Sequence, residues 1–168
     1  AGPVSLPTPR GVSRIDVRSA LQMHEVVQKL AVSAQVLIAA AAVADWRPAT
    51  SADQKIKKNG SGDTPALTFV ENPDILATAA QSERARSGAL YCVGFAAESH
   101  DLLAHATAKR ARKGVPLLVG NIGPSTFGQD DNALLLVDDK GAKELPRDAK
   151  TKLAQDLIQE IAQRMGQR

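Results

Sequence analysis

The chain alternates between continuous apolar runs and segments whose apolar residues recur at helical spacing. The apolar runs are typical of strands that are covered on both faces of a parallel sheet, and they lie at 35–44, 89–98 and 116–121. The segments with helical spacing or helix-end signals lie at 19–32, 72–86, 100–113 and 150–165. This alternation predicts an α/β fold with a Rossmann-like parallel sheet flanked by helices.

Several residues mark where the predicted helices begin and end. Ser19 is a good N-cap, Asn72 can cap the second helix, and Pro73 suits the first helical position. Asp74 would then lie at the positive end of the helix dipole, and Gly114 is a natural C-cap residue. In the last helix, apolar residues are expected on one side, namely Leu153, Leu157, Ile158 and Ile161.

The remaining segments predict shorter elements. Strands are expected at 15–17 and 66–70, and the turn-rich segment 59–65 is expected to be mobile. Residues 132–145 read as a C-terminal hairpin that turns at 139–141, which would give the sheet a mixed edge.

Length and composition indicate one domain. The 168 residues are 43% hydrophobic and contain no linker or repeat, so we expect a single nucleotide-binding domain over 1–168. The opening segment, AGPVSLPTPRG, is rich in proline and glycine and resembles a loop that leaves a strand. We therefore expect an N-terminal strand and a glycine-rich loop of the fold to lie outside these residues.

Charge and composition narrow the classes of partner. A net charge of +3 and 3% aromatic residues fit a small anionic ligand better than a nucleic acid. No apolar run approaches the roughly 20 residues that span a bilayer, so we expect no membrane contact and a cytoplasmic location. The single cysteine, Cys92, can form no intramolecular disulfide and is interpreted as a buried packing residue.

Polar residues follow the predicted strands at the points where ligands bind in open α/β sheets. These residues are Asp45, Asp74, Glu98 and Asn121. Because the carboxyl ends of parallel strands share one edge, we expect them to converge on one crevice. No Ser-His-Asp order, phosphate-loop motif or dinucleotide fingerprint occurs, which disfavours a Rossmann-type dehydrogenase.

Each candidate residue has a functional and a structural interpretation. The alanines at 39–42 would let a planar ring approach the backbone, or they provide tight helix–sheet packing. Asp45 suits Mg²⁺ or a sugar hydroxyl, or it is a solvated carboxylate at a strand end. The 72–74 segment offers backbone N–H groups to an anion or a base edge, or it is a plain helix cap.

Two groups of lysines are candidates for binding phosphate. Lys55 and Lys57 would share a face of an extended KIKK segment, which is either a polyphosphate site or a solvated face. Lys109 and Lys113 lie four apart on one helix, where they bind one ligand or complement the helix C-terminus. Arg110 and Arg112 are expected to diverge from that helix face.

Taken together, these motifs resemble phosphopantothenate–cysteine ligase, the synthetase half of the bifunctional coenzyme A biosynthesis protein of bacteria. The matching motifs, in order, are GPVSLPTP, AAVADWRP, KIKK, NPDIL, VGFAAE, AKRARKG and DDNALLLV. The match runs from Gly2 almost to the C-terminal helix, and the combination is specific although each piece is short.

The resemblance implies a dimeric enzyme that uses CTP and Mg²⁺ to join cysteine to 4′-phosphopantothenate through an acyl-cytidylate. Lys55 is the implied catalytic residue, and Asp45 is the implied metal-binding position. The implied nucleotide contacts are Ala39, Ala40, Ala41, Asp45, Lys55, Pro73, Asp74, Ile75, Leu76, Phe95, Lys109 and Lys113.

The family also has an upstream glycine-serine-rich turn and an asparagine that acts on the intermediate. The 168 residues of this sequence contain neither feature. The flavin-binding decarboxylase half is absent too, so no flavin is assigned. The alternative function is a non-catalytic nucleotide-binding or subunit-interaction domain with the same fold.

Overall fold

The helices and strands follow the alternation that the sequence predicts. A computed structural model describes residues 1–50, 54, 57, 66–123, 126 and 128–166. The helices in this part of the chain are α1 (Ala20–Ala31), α2 (Ile75–Ala80), α3 (Glu83–Arg86), α4 (Leu102–Lys113) and α5 (Lys150–Gly166). The strands are β1 (Val36–Ala39), β2 (Trp46–Pro48), β3 (Phe69–Glu71), β4 (Tyr91–Glu98), β5 (Leu117–Ile122), β6 (Asp131–Val137) and β7 (Ala142–Ala149).

The main sheet has five strands in the order β1-β4-β5-β6-β7. Strands β1, β4 and β5 are parallel, whereas β6 and β7 form an antiparallel hairpin beside β5. The predicted α/β class is confirmed, with a parallel part flanked by helices and a hairpin at a mixed edge. Strands β2 and β3 form a separate antiparallel ribbon.

The core lies on both faces of the main sheet because side chains alternate along each strand. On β5, Leu118 packs in the cluster that includes α2 and α4 residues, and its side chain is 0% exposed. Leu117 and Val119 point to the opposite face and pack with residues of α5. The buried position predicted for Cys92 is confirmed.

Two glycines allow the helices to approach the sheet closely. A Cβ atom at Gly94 of β4 would lie 2.6 Å from Cδ2 of Leu76 on α2 and 2.8 Å from Cδ1 of Leu118. A Cβ atom at Gly120 of β5 would lie 2.8 Å from Cδ1 of Leu102 on α4. Because glycine has no Cβ atom, these two positions allow α2 and α4 to pack closely against the sheet.

Most helix ends agree with their sequence signals. The Ser19 hydroxyl accepts from the N–H of Gln22 at 3.2 Å, as expected of an N-cap. Gly114 ends α4 in the left-handed conformation, with a φ of 67°. Within the described residues, none of the helices is long and apolar enough to cross a membrane.

The predicted strand over 35–44 is too long. Strand β1 ends at Ala39, where it pairs with Gly94, and the chain then leaves the sheet as a loop. Within the described residues β1 pairs only with β4, and Ile38 is 36% exposed. A small-residue run does not reveal where pairing stops, because alanine suits both a covered strand and a tight loop.

Two short predictions also need correction. Residues 15–17 form no strand. Among the described residues their backbone bonds join them to Ala1: the N–H of Val17 donates to the Ala1 carbonyl, and the Ala1 amino group donates to the Ile15 carbonyl. The strand expected at 66–70 begins at Phe69 and ends at Glu71, because its pairing partner is the three-residue strand β2. The segment 59–65, which was expected to be mobile, lies outside the described residues.

The helix predicted over 72–86 is two helices. Asp74, not Asn72, is the N-cap of α2, and its carboxylate accepts from the N–H of Ala77 at 2.9 Å. Ser82 caps α3 through the N–H of Ala85, so a second capping side chain interrupts the helix. In α5, Ile158 is 54% exposed, which contradicts its predicted place on the buried side.

Ion pairs join the hairpin to α5. Arg164 contacts Asp138 at 2.9 Å and Glu160 at 2.5 Å, and Lys143 contacts Glu160 at 2.5 Å. The hydrogen bonds from Lys143 and Arg164 hold the pKa of Glu160 below its ordinary value. Burial alone would raise the pKa of Asp138, but hydrogen bonds from the Lys140 N–H and Arg164 lower it.

These pKa shifts predict a loss of stability in acid. A carboxyl whose pKa is lowered by folding stabilises the protein above its ordinary pKa and loses that contribution as the pH falls. We expect Glu160→Gln to lower the free energy of unfolding by about 1–3 kcal/mol at pH 7, since it removes charged hydrogen bonds. The difference from wild type should shrink as the pH falls below the ordinary value of 4.5.

Urea denaturation at pH 7, 5, 4 and 3 measures this difference directly. Glu144→Gln, on the exposed side of β7, is the matched control. A Glu160→Gln difference that stays constant through acid would contradict the assigned ion-pair origin.

Candidate functional site

A cleft of about 520 Å³ opens beyond the carboxyl ends of β1 and β4. Its walls are the loop after β1, the segment 71–76 and one face of α4. Ligands of open α/β sheets bind at this edge, and the volume suits a small molecule. The cleft is lined by every implied nucleotide contact that the structure describes: Ala39, Ala40, Ala41, Asp45, Pro73, Asp74, Ile75, Leu76, Phe95, Lys109 and Lys113.

Four predicted residues stand apart from this set, namely Lys55, Lys57, Glu98 and Asn121. Lys55 lies outside the described residues, so its catalytic role stays a prediction. Asn121 is buried at the end of β5, where its amide donates to the Thr126 hydroxyl at 2.9 Å, and it does not line the cleft. Glu98 accepts from Lys109 but does not line the cleft itself. The expected convergence on the cleft therefore includes Asp45 and Asp74 but not Glu98 or Asn121.

Small and apolar side chains form the floor of the cleft. The alanines at 39–42 leave the backbone of the loop accessible, while Leu76 and Leu118 lie beneath. Gly94 contributes by letting Leu76 sit directly against β4. A planar ring can approach such a floor, because no long side chain intervenes.

Asn72 holds the rim of the cleft together. Its backbone N–H donates to the carbonyl of Asp45 at 2.7 Å, and its side-chain amide donates to the carbonyl of Ala44 at 2.8 Å. Arg47 braces both segments, donating to the Glu71 carbonyl at 2.7 Å and to the Asn72 side-chain oxygen at 3.1 Å. The role of Asn72 is thus to position Asp45, rather than to cap a helix.

The chemistry of Asp45 is compatible with Mg²⁺. The described residues contain no group of three or more His, Cys, Asp or Glu side chains that would bind a metal by themselves. Magnesium usually takes one or two protein carboxylates and completes its shell with water and phosphate oxygens. A single exposed aspartate on the rim therefore fits a cation that arrives with a phosphorylated ligand.

Both lysines of α4 reach the cleft, and each has a carboxylate partner. Lys109 donates to Glu98 at 3.0 Å, and His105 lies 3.6 Å from the other oxygen of Glu98. Lys113 pairs with Asp74, the N-cap of α2. Burial would raise the pKa of Asp74, but the hydrogen bonds from Lys113 and the Ala77 N–H hold it below its ordinary value.

Arg112 is the residue that the sequence interpretation missed. It lines the cleft together with Lys109 and Lys113, although it was expected to diverge from their face. Residues three apart on a helix are neighbours, so the spacing from Lys109 already contained the signal. Arg110 does diverge, and its guanidinium donates to the carbonyl of Val115 at 3.3 Å.

A second cavity, of about 540 Å³, lies on another part of the surface, between the hairpin turn and α5. Its charged lining includes Asp138, Glu160 and Arg164, which are paired with one another. These charges are explained by the attachment of the hairpin, so the cleft beyond β1 and β4 is the better candidate.

Comparisons with known proteins identify relatives of the chain. The profile of the family described as DNA/pantothenate metabolism flavoprotein C-terminal domain matches residues 1–165. The coenzyme A biosynthesis bifunctional protein CoaBC of Vibrio cholerae is 45% identical over 168 residues, covering 98% of this chain and 41% of the relative. CoaBC of Escherichia coli is 42% identical over 172 residues, covering 100% of this chain and 42% of the relative.

Solved structures show the same fold. The C-terminal domain of a CoaBC protein superposes with a TM-score of 0.78 at 26% identity, covering 99% of this chain and 73% of that one. A Cab2 variant in complex with phosphopantothenate-cysteine gives a TM-score of 0.71 at 17% identity, covering 91% of this chain and 52% of that one. The chain spans about two fifths of the length of the CoaBC relatives, at 41% and 42%.

Proposed function

The chain belongs to the family of the DNA/pantothenate metabolism flavoprotein C-terminal domain, and we propose that it carries out the phosphopantothenate–cysteine ligase step of coenzyme A biosynthesis. The observation that supports this function is the cleft, in which the described nucleotide-binding candidates meet. The names of the CoaBC relatives support the same pathway.

The proposed reaction has two steps. The carboxylate of 4′-phosphopantothenate attacks the α-phosphate of CTP, which forms an acyl-cytidylate and releases pyrophosphate. The amine of cysteine then attacks the acyl carbon, and CMP leaves as phosphopantothenoylcysteine forms. Neither step needs a protein nucleophile, and the described lining of the cleft offers lysine, arginine and carboxylate side chains for binding.

Positive charge is what the first step requires of the protein. A carboxylate and a triphosphate repel each other, and fixed cations lower the energy of the transition state because they neutralise charge where it develops. Lys109 and Lys113 supply such cations on one wall of the cleft. We assign the catalytic role to Lys55, following the resemblance of the KIKK motif.

The base and the metal take the other positions. We propose that the cytosine ring lies against the alanine floor at 39–41, where it reaches the backbone without steric hindrance. Asp45 would hold Mg²⁺ on the rim, and the ion would neutralise phosphate charge when bound. Asn72 keeps the Asp45 backbone in place through its hydrogen bond.

We also propose that the protein is a homodimer. The register of the β2–β3 ribbon places Trp46, Pro48 and Phe69 on one face. Trp46 and Phe69 are 60% and 54% exposed, and an apolar patch of this kind is typical of an interface. Light scattering on the purified protein measures the dimer directly, and a monomer at micromolar concentration would contradict it.

Nucleotide selectivity tests the proposed function. We expect CTP with Mg²⁺, at a hundred times its dissociation constant, to stabilise the protein by about 2.7 kcal/mol. For a chain of this size, that corresponds to a rise in melting temperature of about 5–10 °C. ATP with Mg²⁺ should give a smaller rise, since CTP is the proposed co-substrate.

A turnover assay then separates the two candidate functions. The complete protein that contains this chain should form phosphopantothenoylcysteine and pyrophosphate from CTP, 4′-phosphopantothenate and cysteine. Stabilisation by CTP without product would favour the non-catalytic nucleotide-binding domain. Equal or absent shifts with CTP and ATP would contradict the assignment of CTP.

A further inference from the structure

One wall of the cleft presents three cations on a single helix face. Lys109, Arg112 and Lys113 lie at positions i, i+3 and i+4 of α4, and all three line the cleft. The resemblance assigns ligand contacts to the two lysines and none to the arginine.

The three cations differ in how far their charges are already neutralised. Glu98 accepts from Lys109 at 3.0 Å, and Asp74 accepts from Lys113. In the part of the chain that the structure describes, no hydrogen bond or ion pair joins the guanidinium of Arg112 to another residue. Its charge lies close enough to Asp74 to contribute to the lowered pKa of that carboxyl.

A structural role explains Arg112 less well than it explains its neighbour. Basic residues in the last turn of a helix complement the helix dipole, and Arg110, Arg112 and Lys113 are all in that turn of α4. Arg110 also donates to the carbonyl of Val115, which follows the helix. Arg112 makes no such bond to any of the described residues, and it lines the cleft instead.

We propose that Arg112 binds the phosphate chain of the nucleotide, as the cation of the α4 wall that is available without breaking an ion pair. This inference rests on the proposed function, because it requires a nucleoside triphosphate in the cleft. A guanidinium is planar and donates two parallel hydrogen bonds to phosphate oxygens, whereas a lysine offers a point charge. The lysines must first exchange their carboxylate partners for phosphate.

The test is a titration series in which only the phosphate chain changes. Affinities for CTP, CDP, CMP and cytidine are measured by calorimetry at fixed Mg²⁺ and salt. The proteins are wild type, Arg112→Gln, Arg112→Lys and the control Arg86→Gln. Arg86 is exposed at the end of α3 and does not line the cleft.

We expect Arg112→Gln to weaken CTP binding by about 10- to 100-fold, the usual range for a lost hydrogen-bonded charge. Cytidine affinity should be unchanged, because in the proposed arrangement the guanidinium contacts the phosphates and not the base or ribose. Arg112→Lys should fall between wild type and Arg112→Gln, and Arg86→Gln should match wild type. A structural role would instead weaken all four ligands alike.

The outcomes distinguish the inference from the function on which it rests. If wild type binds CTP and Arg112→Gln keeps the same ratio of CTP to cytidine affinity, the role of Arg112 is wrong while the proposed function stands. If wild type binds none of the four ligands, the proposed function fails and the inference fails with it.

Discussion

Replacing Leu118 by alanine is expected to lower the free energy of unfolding by about 2–5 kcal/mol, the range for removing a fully buried leucine side chain. Leu118 is 0% exposed, packs beneath α2 and α4, and lines the floor of the cleft. The substitution should also weaken nucleotide binding, because Leu76 lies next to Leu118 and would settle into the space that is left. Urea denaturation and CTP calorimetry measure the two effects.

Leu117→Ala is the matched control for this prediction. Leu117 is the neighbouring residue of β5, is also 0% exposed, and packs on the opposite face of the sheet with α5. We expect a similar loss of stability but an unchanged affinity for CTP, measured at a temperature where both variants are folded. Equal loss of CTP affinity in both variants would show that CTP binding depends on the overall stability of the protein and not on the packing of the cleft floor.

Replacing Lys55 by glutamine is expected to have the largest effect on activity. If Lys55 meets the charge that develops at the α-phosphate, its loss should lower kcat on the order of 100- to 1000-fold, as for other electrostatic stabilisers of a transition state. The KM for CTP should change less, because the other contacts of the cleft remain. Steady-state kinetics on the complete protein measures both constants.

Lys57→Gln provides the control within the same KIKK motif. Lys57 is exposed and does not line the cleft, so removing its charge should leave kcat close to wild type. If the two variants had the same kcat, the basic cluster would be acting as a diffuse field or as a solvated face, and Lys55 would have no special role.

The parts of the fold that the sequence predicts well are those whose signals are local. Strands β4 and β5 are continuous apolar runs, and α4 ends at a glycine that adopts the left-handed conformation. These features depend on burial and on backbone conformation within a few residues. The extent of β1 depends on its pairing with β4. The paired residues Ala39 and Gly94 are more than fifty positions apart, so the sequence near β1 does not show where the strand ends.

The candidate site shows the same division. Its position could be predicted because the ends of parallel strands share one edge, which brings Asp45, Asp74 and Phe95 to a single cleft. The role of Asn72 could not be predicted, because its side chain donates to the carbonyl of Ala44, which is 28 residues away. The place of Arg112 in the cleft could have been predicted from its spacing of three residues from Lys109, but the sequence analysis assigned it to another helix face.

The most direct test of the cleft is a crystal structure of the protein with CTP and Mg²⁺. We expect the cytosine ring against residues 39–41, the ion near Asp45, and phosphate oxygens within hydrogen-bond distance of α4 side chains. Nucleotide density at another surface, for instance in the cavity beside α5, would contradict the account.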